Sequence, residues 1–138
     1  MIKVPSPEEL IQIFQKDAFA CFTGCEIIEA EEGRARVRMV IRPQHLNGVG
    51  LLHGGAVFTA ADLACAVAAN SHGRVAVTLS CAVTYMSPAT GKSIVATASE
   101  IAHSARIGTY SIDVVDEASG KLITSLQATA YITDKRVI

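Results

Sequence analysis

The sequence predicts an α+β domain in which a curved antiparallel β-sheet wraps around one long central helix, with a short helix at the N-terminus. The stretch Gly54 to Asn70 begins with two glycines and then becomes strongly helical and almost wholly apolar, with alanines on every face. A helix that is apolar all round is a buried helix. Strand-like segments separated by turns surround it in the chain, and long consecutive hairpins imply an antiparallel sheet. No other segment is apolar enough to fill the concave side of such a sheet.

Composition narrows the possibilities. At 138 residues, 50% of them hydrophobic, the chain is expected to form a single domain over 1–138 with a substantial core. The 12 Lys+Arg and 13 Asp+Glu nearly cancel, which leaves no electrostatic footprint for nucleic acid or an anionic membrane surface. Asp62 interrupts the longest apolar run, so no membrane span is expected. Lys3 followed by Pro5-Ser6-Pro7-Glu8-Glu9 lacks a signal-peptide core, and a cytoplasmic location is expected. Cys21, Cys25, Cys65 and Cys81 form no complete zinc-type set and read as buried free thiols.

Taken in order, Ser6-Pro7-Glu8-Glu9 opens a helix with a cap, a proline suited to the first turn and a capping-box glutamate. Its apolar face is expected to run to a stop at Gly24. Cys25 to Ala30 and Ala35 to Ile41 read as strands about an Glu31-Glu32-Gly33 turn, the second alternating arginines with Val37, Met39 and Ile41. Those arginines read as a solvated face. After Pro43, a glycine-rich loop leads into His53-Gly54-Gly55 and the long helix. Ser71-His72-Gly73 turns the chain into four further strands, Val75 to Ser87, Ser93 to His103, Arg106 to Asp116 and Lys121 to Thr133.

Chemistry concentrates on the long helix. The first N–H groups of a helix have no internal partner and carry the positive end of its dipole. A Gly-Gly start lets a substrate approach them without a side chain in the way. In mid-helix, Asp62 is a carboxylate that needs either a partner or a wet cleft. A paired structural carboxylate is the plainer explanation of Asp62 taken alone.

The combination of Asn47-Gly48, His53-Gly54-Gly55, Asp62 within Phe58-Thr59-Ala60-Ala61-Asp62, Asn70-Ser71 and Ser80 resembles the hotdog-fold acyl-CoA thioesterases, specifically their phenylacetate-pathway (PaaI-like) branch. The likeness runs from about His45 to the end of the chain. It implies the hotdog fold and hydrolysis of an acyl-CoA thioester, with Asp62 as general base or nucleophile. The backbone N–H of Gly54 would polarise the carbonyl, and Asn47 and Ser80 would position the carbonyl or the attacking water. His53 belongs to the motif in a supporting role.

Thioester hydrolysis fits these groups physically: the helix start supplies donors for a developing oxyanion, and a carboxylate among Phe58, Cys65 and Ala66 should be a stronger base than a solvated one. Eight residues of helix separate Gly54 from Asp62, about 12 Å at ~1.5 Å per residue, whereas reacting atoms must approach to about 3–3.5 Å. The two groups can serve one thioester only from different subunits, so a homodimer is the expected minimal unit, and pairing of dimers into a homotetramer is expected beyond it. Leu51, Leu52 and Phe58 are expected to line the acyl pocket beside Gly55. Ser87, Pro88 and Ser104 are assigned to the pantetheine channel, and Arg106, with Lys92 and His103, to the CoA phosphates. No cofactor is expected beyond CoA as part of the substrate. No metal is expected, because His45, His53 and Asp62 have irregular spacing. Ser80 lacks a Gly-x-Ser-x-Gly elbow, and Cys65 and Cys81 lack an activating base. The competing functions are a hotdog dehydratase or hydratase and a non-catalytic acyl-CoA-binding domain.

Overall fold

The computed structural model describes residues 1–138. Two short helices, α1 (Pro7–Phe14) and α2 (Ala18–Thr23), precede strands β1 (Cys25–Glu31) and β2 (Arg34–Val40); helix α3 (Gly54–Asn70) follows, then β3 (Arg74–Tyr85), β4 (Ser93–His103), β5 (Ile107–Asp116) and β6 (Leu122–Arg136). The expected bounds of α3 and β4 are met, and the other strands differ by one to three residues at their ends.

The N-terminal helix begins as expected. Ser6 Oγ accepts from the Glu9 N–H at 3.1 Å, and Glu9 accepts from the Ser6 N–H at 2.9 Å. It does not run on to Gly24. The chain breaks at Gln15, and Asp17 caps a second helix by accepting from the Ala20 N–H at 3.0 Å. An aspartate that can satisfy a helix start from outside competes with continuing the helix through it. Gly24, at φ 90°, then closes α2 in the left-handed conformation that only glycine adopts readily.

All strand pairs are antiparallel, in the order β1-β2-β4-β5-β6-β3. The expected run of consecutive hairpins is corrected at one step. Strand β3 pairs with β6 rather than β4, so the segment after Tyr85 crosses from one edge of the sheet to its middle. That crossing is pinned by Asp116, whose carboxylate accepts from the Gly91 N–H at 2.7 Å and the Ala118 N–H at 3.1 Å. Strands β1 and β3 remain as the two open edges.

Alternate residues of the inner strands face α3 and are fully buried: Ala35, Val37 and Met39 on β2, Ile94, Ala96 and Ala98 on β4, and Tyr110, Ile112 and Val114 on β5. From the helix, Val57, Ala60, Ala61, Leu63, Ala64, Val67 and Ala68 meet them. Alanine at 60, 61, 64 and 68 lets the helix backbone settle close to the strands. The far end of α3 is tied down by Asn70, whose side chain accepts from the Ala76 N–H at 2.9 Å and donates to the Ala66 carbonyl at 2.8 Å, and by Ser71, which accepts from the Gly33 N–H at 2.7 Å. The arginines of β2 form exposed ion pairs, Arg38 with Glu117 at 2.7 Å and Arg36 with Glu29 at 3.5 Å. No helix is long and apolar enough to cross a membrane.

Leu63 is the largest buried side chain of α3, at 2% exposure. Leu63→Ala should lower the unfolding free energy by about 2–5 kcal/mol, read from the urea midpoint at unchanged slope.

Candidate active site

The start of α3 distributes its donors unevenly. His53, the N-cap residue, accepts from the Gly55 N–H at Nδ1 (2.8 Å), and its carbonyl accepts from the N–H groups of Ala56 and Val57 at 3.0 and 3.3 Å. Gly54 N–H alone has no partner among the first four. His53 therefore saturates the helix end except for one donor. The ring of Tyr85 flanks that donor, its hydroxyl donating to the Gly54 carbonyl at 3.1 Å, and a Cβ on Gly54 would stand only 3.1 Å from the Tyr85 ring.

Asn47 shapes the wall opposite. Its Oδ1 accepts from the N–H groups of Val49 and Leu51, both at 3.0 Å, while its own N–H donates to the Leu51 carbonyl at 2.7 Å. The side-chain carbonyl is thus committed to folding the loop, and the amide Nδ2 is the end left unengaged. Asn47, Gly54, Leu52, Tyr85, Ser87 and Pro88 surround a recess of about 380 Å³ whose remaining walls are largely apolar. Leu51 joins it, as expected. The Ser87 hydroxyl is already donated to the Leu122 carbonyl at 3.0 Å, so Ser87 contributes shape. His53 and Gly55 border a second recess, of about 300 Å³, under Phe19 and Phe22 of α2.

Asp62 does not lie in either recess of the single chain. It sits on the one stripe of α3 that the sheet leaves uncovered, with Phe58, Thr59 and Ala66 one turn away and Gly55 two. The carboxylate is open to solvent yet flanked by protein, and that partial burial raises its pKa above the ordinary range, with the charge of Asp17 acting in the same direction. Its field reaches the sheet: the Cys65 thiol is pushed up to about 12, by burial first and Asp62 next, and Cys81 on β3 is raised for the same two reasons.

Ser80 is not among these groups. In a regular strand residues 78 and 80 share a face, but β3 carries a bulge between Thr78 and Ser80. Thr78 pairs with buried Ala130, and its hydroxyl lies against Cys65 beside Asp62. Ser80 pairs with Thr129 and lines a hollow on the outward face with Ile101, Thr109 and Gln127. The bulge has no sequence signature, which is why Thr78 goes unnoticed in the sequence.

Ser104 and Arg106 also stand apart from the recess, near the C-terminal end of α3. The Arg106 guanidinium pairs with Asp134 at 2.9 Å, and Ser104 accepts from the Ile107 N–H at 3.2 Å. His45 is engaged at both ring nitrogens, by the Arg42 N–H at 2.9 Å and the Thr23 carbonyl at 2.6 Å, so it offers nothing to a metal. Cys21 is exposed rather than buried.

A curved antiparallel sheet around a helix whose glycine start faces an apolar recess is the layout of a thioesterase of the hotdog type. The Thioesterase superfamily profile matches residues 49–123. A putative esterase from Archaeoglobus fulgidus is 38% identical over 120 residues, 86% of this chain and 77% of that protein. The acyl-coenzyme A thioesterase PaaI of Escherichia coli is 37% identical over 106 residues, 76% of each chain. The solved structure of E. coli PaaI superimposes with a TM-score of 0.87 over 94% of this chain and 97% of that one, at 30% identity. The chain belongs to the thioesterase superfamily, in its PaaI-like hotdog branch.

Thr78→Ala is expected to lower kcat/KM for thioester hydrolysis on the order of tenfold, about 1.4 kcal/mol of barrier, while Ser80→Ala leaves it unchanged in the same assay.

Proposed function

We propose that the protein hydrolyses an acyl-CoA thioester to the free acid and CoA, with a compact apolar acyl group, aromatic (phenylacetyl-like) or short to medium in chain length. The observation that carries this reading is the single unpaired N–H of α3, at Gly54, aimed into an apolar recess. A donor preset where the carbonyl oxygen gains charge is the largest contribution such a site can make. The recess is of a size for a small acyl group, and the relative in E. coli comes from a phenylacetic acid degradation operon. Asn47 Nδ2 helps to hold the carbonyl, and the CoA moiety leaves as a stabilised thiolate.

Asp62 supplies the base or nucleophile, from the partner subunit. Both groups lie on one unbroken helix, so the separation of about 12 Å stands. Strand β3 offers an edge of 12 residues with Val77 and Leu79 exposed, and an open edge of that length calls for a cover. A second copy pairing along β3 would bring the uncovered stripe of each α3 against the other and set Asp62 near the partner's Gly54. On the outward face Val77, Tyr131 and Ile107 stand side by side in register, all exposed, which supports a further pairing of dimers.

Release of free thiol from a panel of acyl-CoAs tests the reading. Asp62→Asn should abolish turnover of every substrate that the parent cleaves, and turnover surviving in Asp62→Asn removes Asp62 from this role. A raised pKa disfavours the ionised form in the fold, so Asp62 drains stability as pH rises from its unfolded value through its folded one. Asp62→Asn should accordingly be at least as stable as the parent at neutral pH by thermal melt. The acid limb of the parent's kcat/KM profile should lie above the usual aspartate value of about 3.9.

Mixing inactive Asp62→Asn with a Gly54 variant crippled in turnover tests the shared site. Random exchange in a two-fold dimer should restore roughly a quarter of parental activity, since half the dimers carry one intact site. No recovery in mixtures whose exchange is verified by mass would place both groups in one chain.

A further inference from the structure

At the end of α3 remote from Gly54, His72, Glu100 and His103 converge, their ligand atoms all within 4.8 Å of one another. His72 Nε2 stands 2.9 Å from Glu100 Oε1, and His103 Nδ1 stands 3.2 Å from Glu100 Oε2. The imidazole rings lie with centroids 4.3 Å apart, tilted by 38°. We infer that this cluster binds one divalent transition-metal ion per chain, Zn²⁺ being the best match, through His72 Nε2, His103 Nδ1 and the Glu100 carboxylate.

The backbone builds the set deliberately. Glu100 and His103 are three apart on β4, and residues three apart on a regular strand face opposite ways. A bulge between Glu100 and Ala102 reverses the parity and brings both side chains to one side, opposite Tyr110 and Gly108. His72 arrives from the turn that ends α3. Two groups then orient the ligands from outside. Glu32 stands 3.2 Å from His72 Nδ1, the carboxylate–imidazole relay that fixes a metal-binding histidine with Nε2 inward. Tyr110, fully buried, donates its hydroxyl to Glu100 Oε1 at 3.1 Å.

With the His72 Nδ1–H donated to Glu32, its Nε2 turns a lone pair toward the Glu100 carboxylate oxygens, so acceptor faces acceptor at 2.9 Å. Either a second proton on that ring, making it cationic, or a metal ion must stand between the two. Bonds of about 2.0–2.2 Å from zinc to nitrogen and oxygen imply tetrahedral edges of roughly 3.3–3.6 Å; the two nitrogen–oxygen separations, 2.9 and 3.2 Å, need a modest opening, and the remaining edge lies within 4.8 Å. Two histidines and one glutamate leave a fourth position, and a cavity of about 260 Å³ opens beside His72 and His103, with Ser104 and Arg74 on its wall. That volume holds a metal-bound water or a small anion. The ion would join the end of α3 to β4, and the ligands come from positions 72, 100 and 103, too scattered to form a recognisable spacing.

Chelator-treated full-length protein should bind one Zn²⁺ per chain in a calorimetric titration and gain thermal stability with added Zn²⁺. Co²⁺ in its place should give the intense visible bands of tetrahedral nitrogen and oxygen ligation, without a thiolate charge-transfer band. Glu100→Gln and His103→Ala, the latter at an exposed ring, should each weaken binding at least tenfold, and Tyr110→Phe roughly tenfold as an outer partner does. Absence of saturable binding overturns the inference. So does binding that survives both ligand variants, or that is lost in Cys21→Ser, which would mark an adventitious thiol site.

Discussion

Contact between the backbone of α3 and the sheet, through alanines without measurable exposure at 60, 61, 64 and 68, is the constraint on which the rest of the molecule depends. Side chains that small leave no slack, so the position and rotation of the helix are set by the strands beneath it. Rotation decides which stripe stays uncovered, and that stripe carries Asp62. Translation decides where the first turn ends, and with it where the Gly54 N–H meets the recess. Tyr85 at one end and Asn70 with Ser71 at the other fix the helix lengthwise.

The helix start shows how a generic property of secondary structure is narrowed to one donor. Any helix presents several unpaired N–H groups to solvent or ligand. Here the imidazole and carbonyl of His53 absorb all but one, so the helix start presents a single direction of approach rather than a diffuse positive end. Asp62 represents the opposite economy: a carboxylate kept where partial burial disfavours its charge, a position that a sequence selected for stability alone would give to alanine.

Much of the architecture was legible in the sequence because it follows from composition over many residues. An apolar helix of 17 residues between alternating strands admits few arrangements, and its bounds, from the His53-Gly54-Gly55 start to Asn70, are written in capping chemistry. Asn47, Leu52 and Gly54 are brought together as their order before the helix implied. What escaped depends on single residues whose effects are not local. Asp17 divides one expected helix into two. The pairing of β3 with β6 is decided by the whole sheet, since either β4 or β6 could have satisfied the strand's donors. The bulges in β3 and β4 change which face a side chain occupies without altering its sequence neighbours, so within one chain Ser80 faces outward while Thr78 faces the helix, and Glu100 meets His103. Ser104 and Arg106 could not be placed because their distance from Gly54 is fixed by the length of α3, across which the chain folds back.

The close seating of α3 also limits how proteins of this build can diversify. A methyl group added at Ala60, Ala64 or Ala68 would lift the helix off its strands, so the interior cannot be enlarged to admit a bigger acyl group. Adaptation to new substrates is left to the rim, where Leu51, Met86 and Pro88 stand on loops with room to lengthen or change. The helix serves as an unchanging anvil, and chemical novelty is confined to the tools brought up against it.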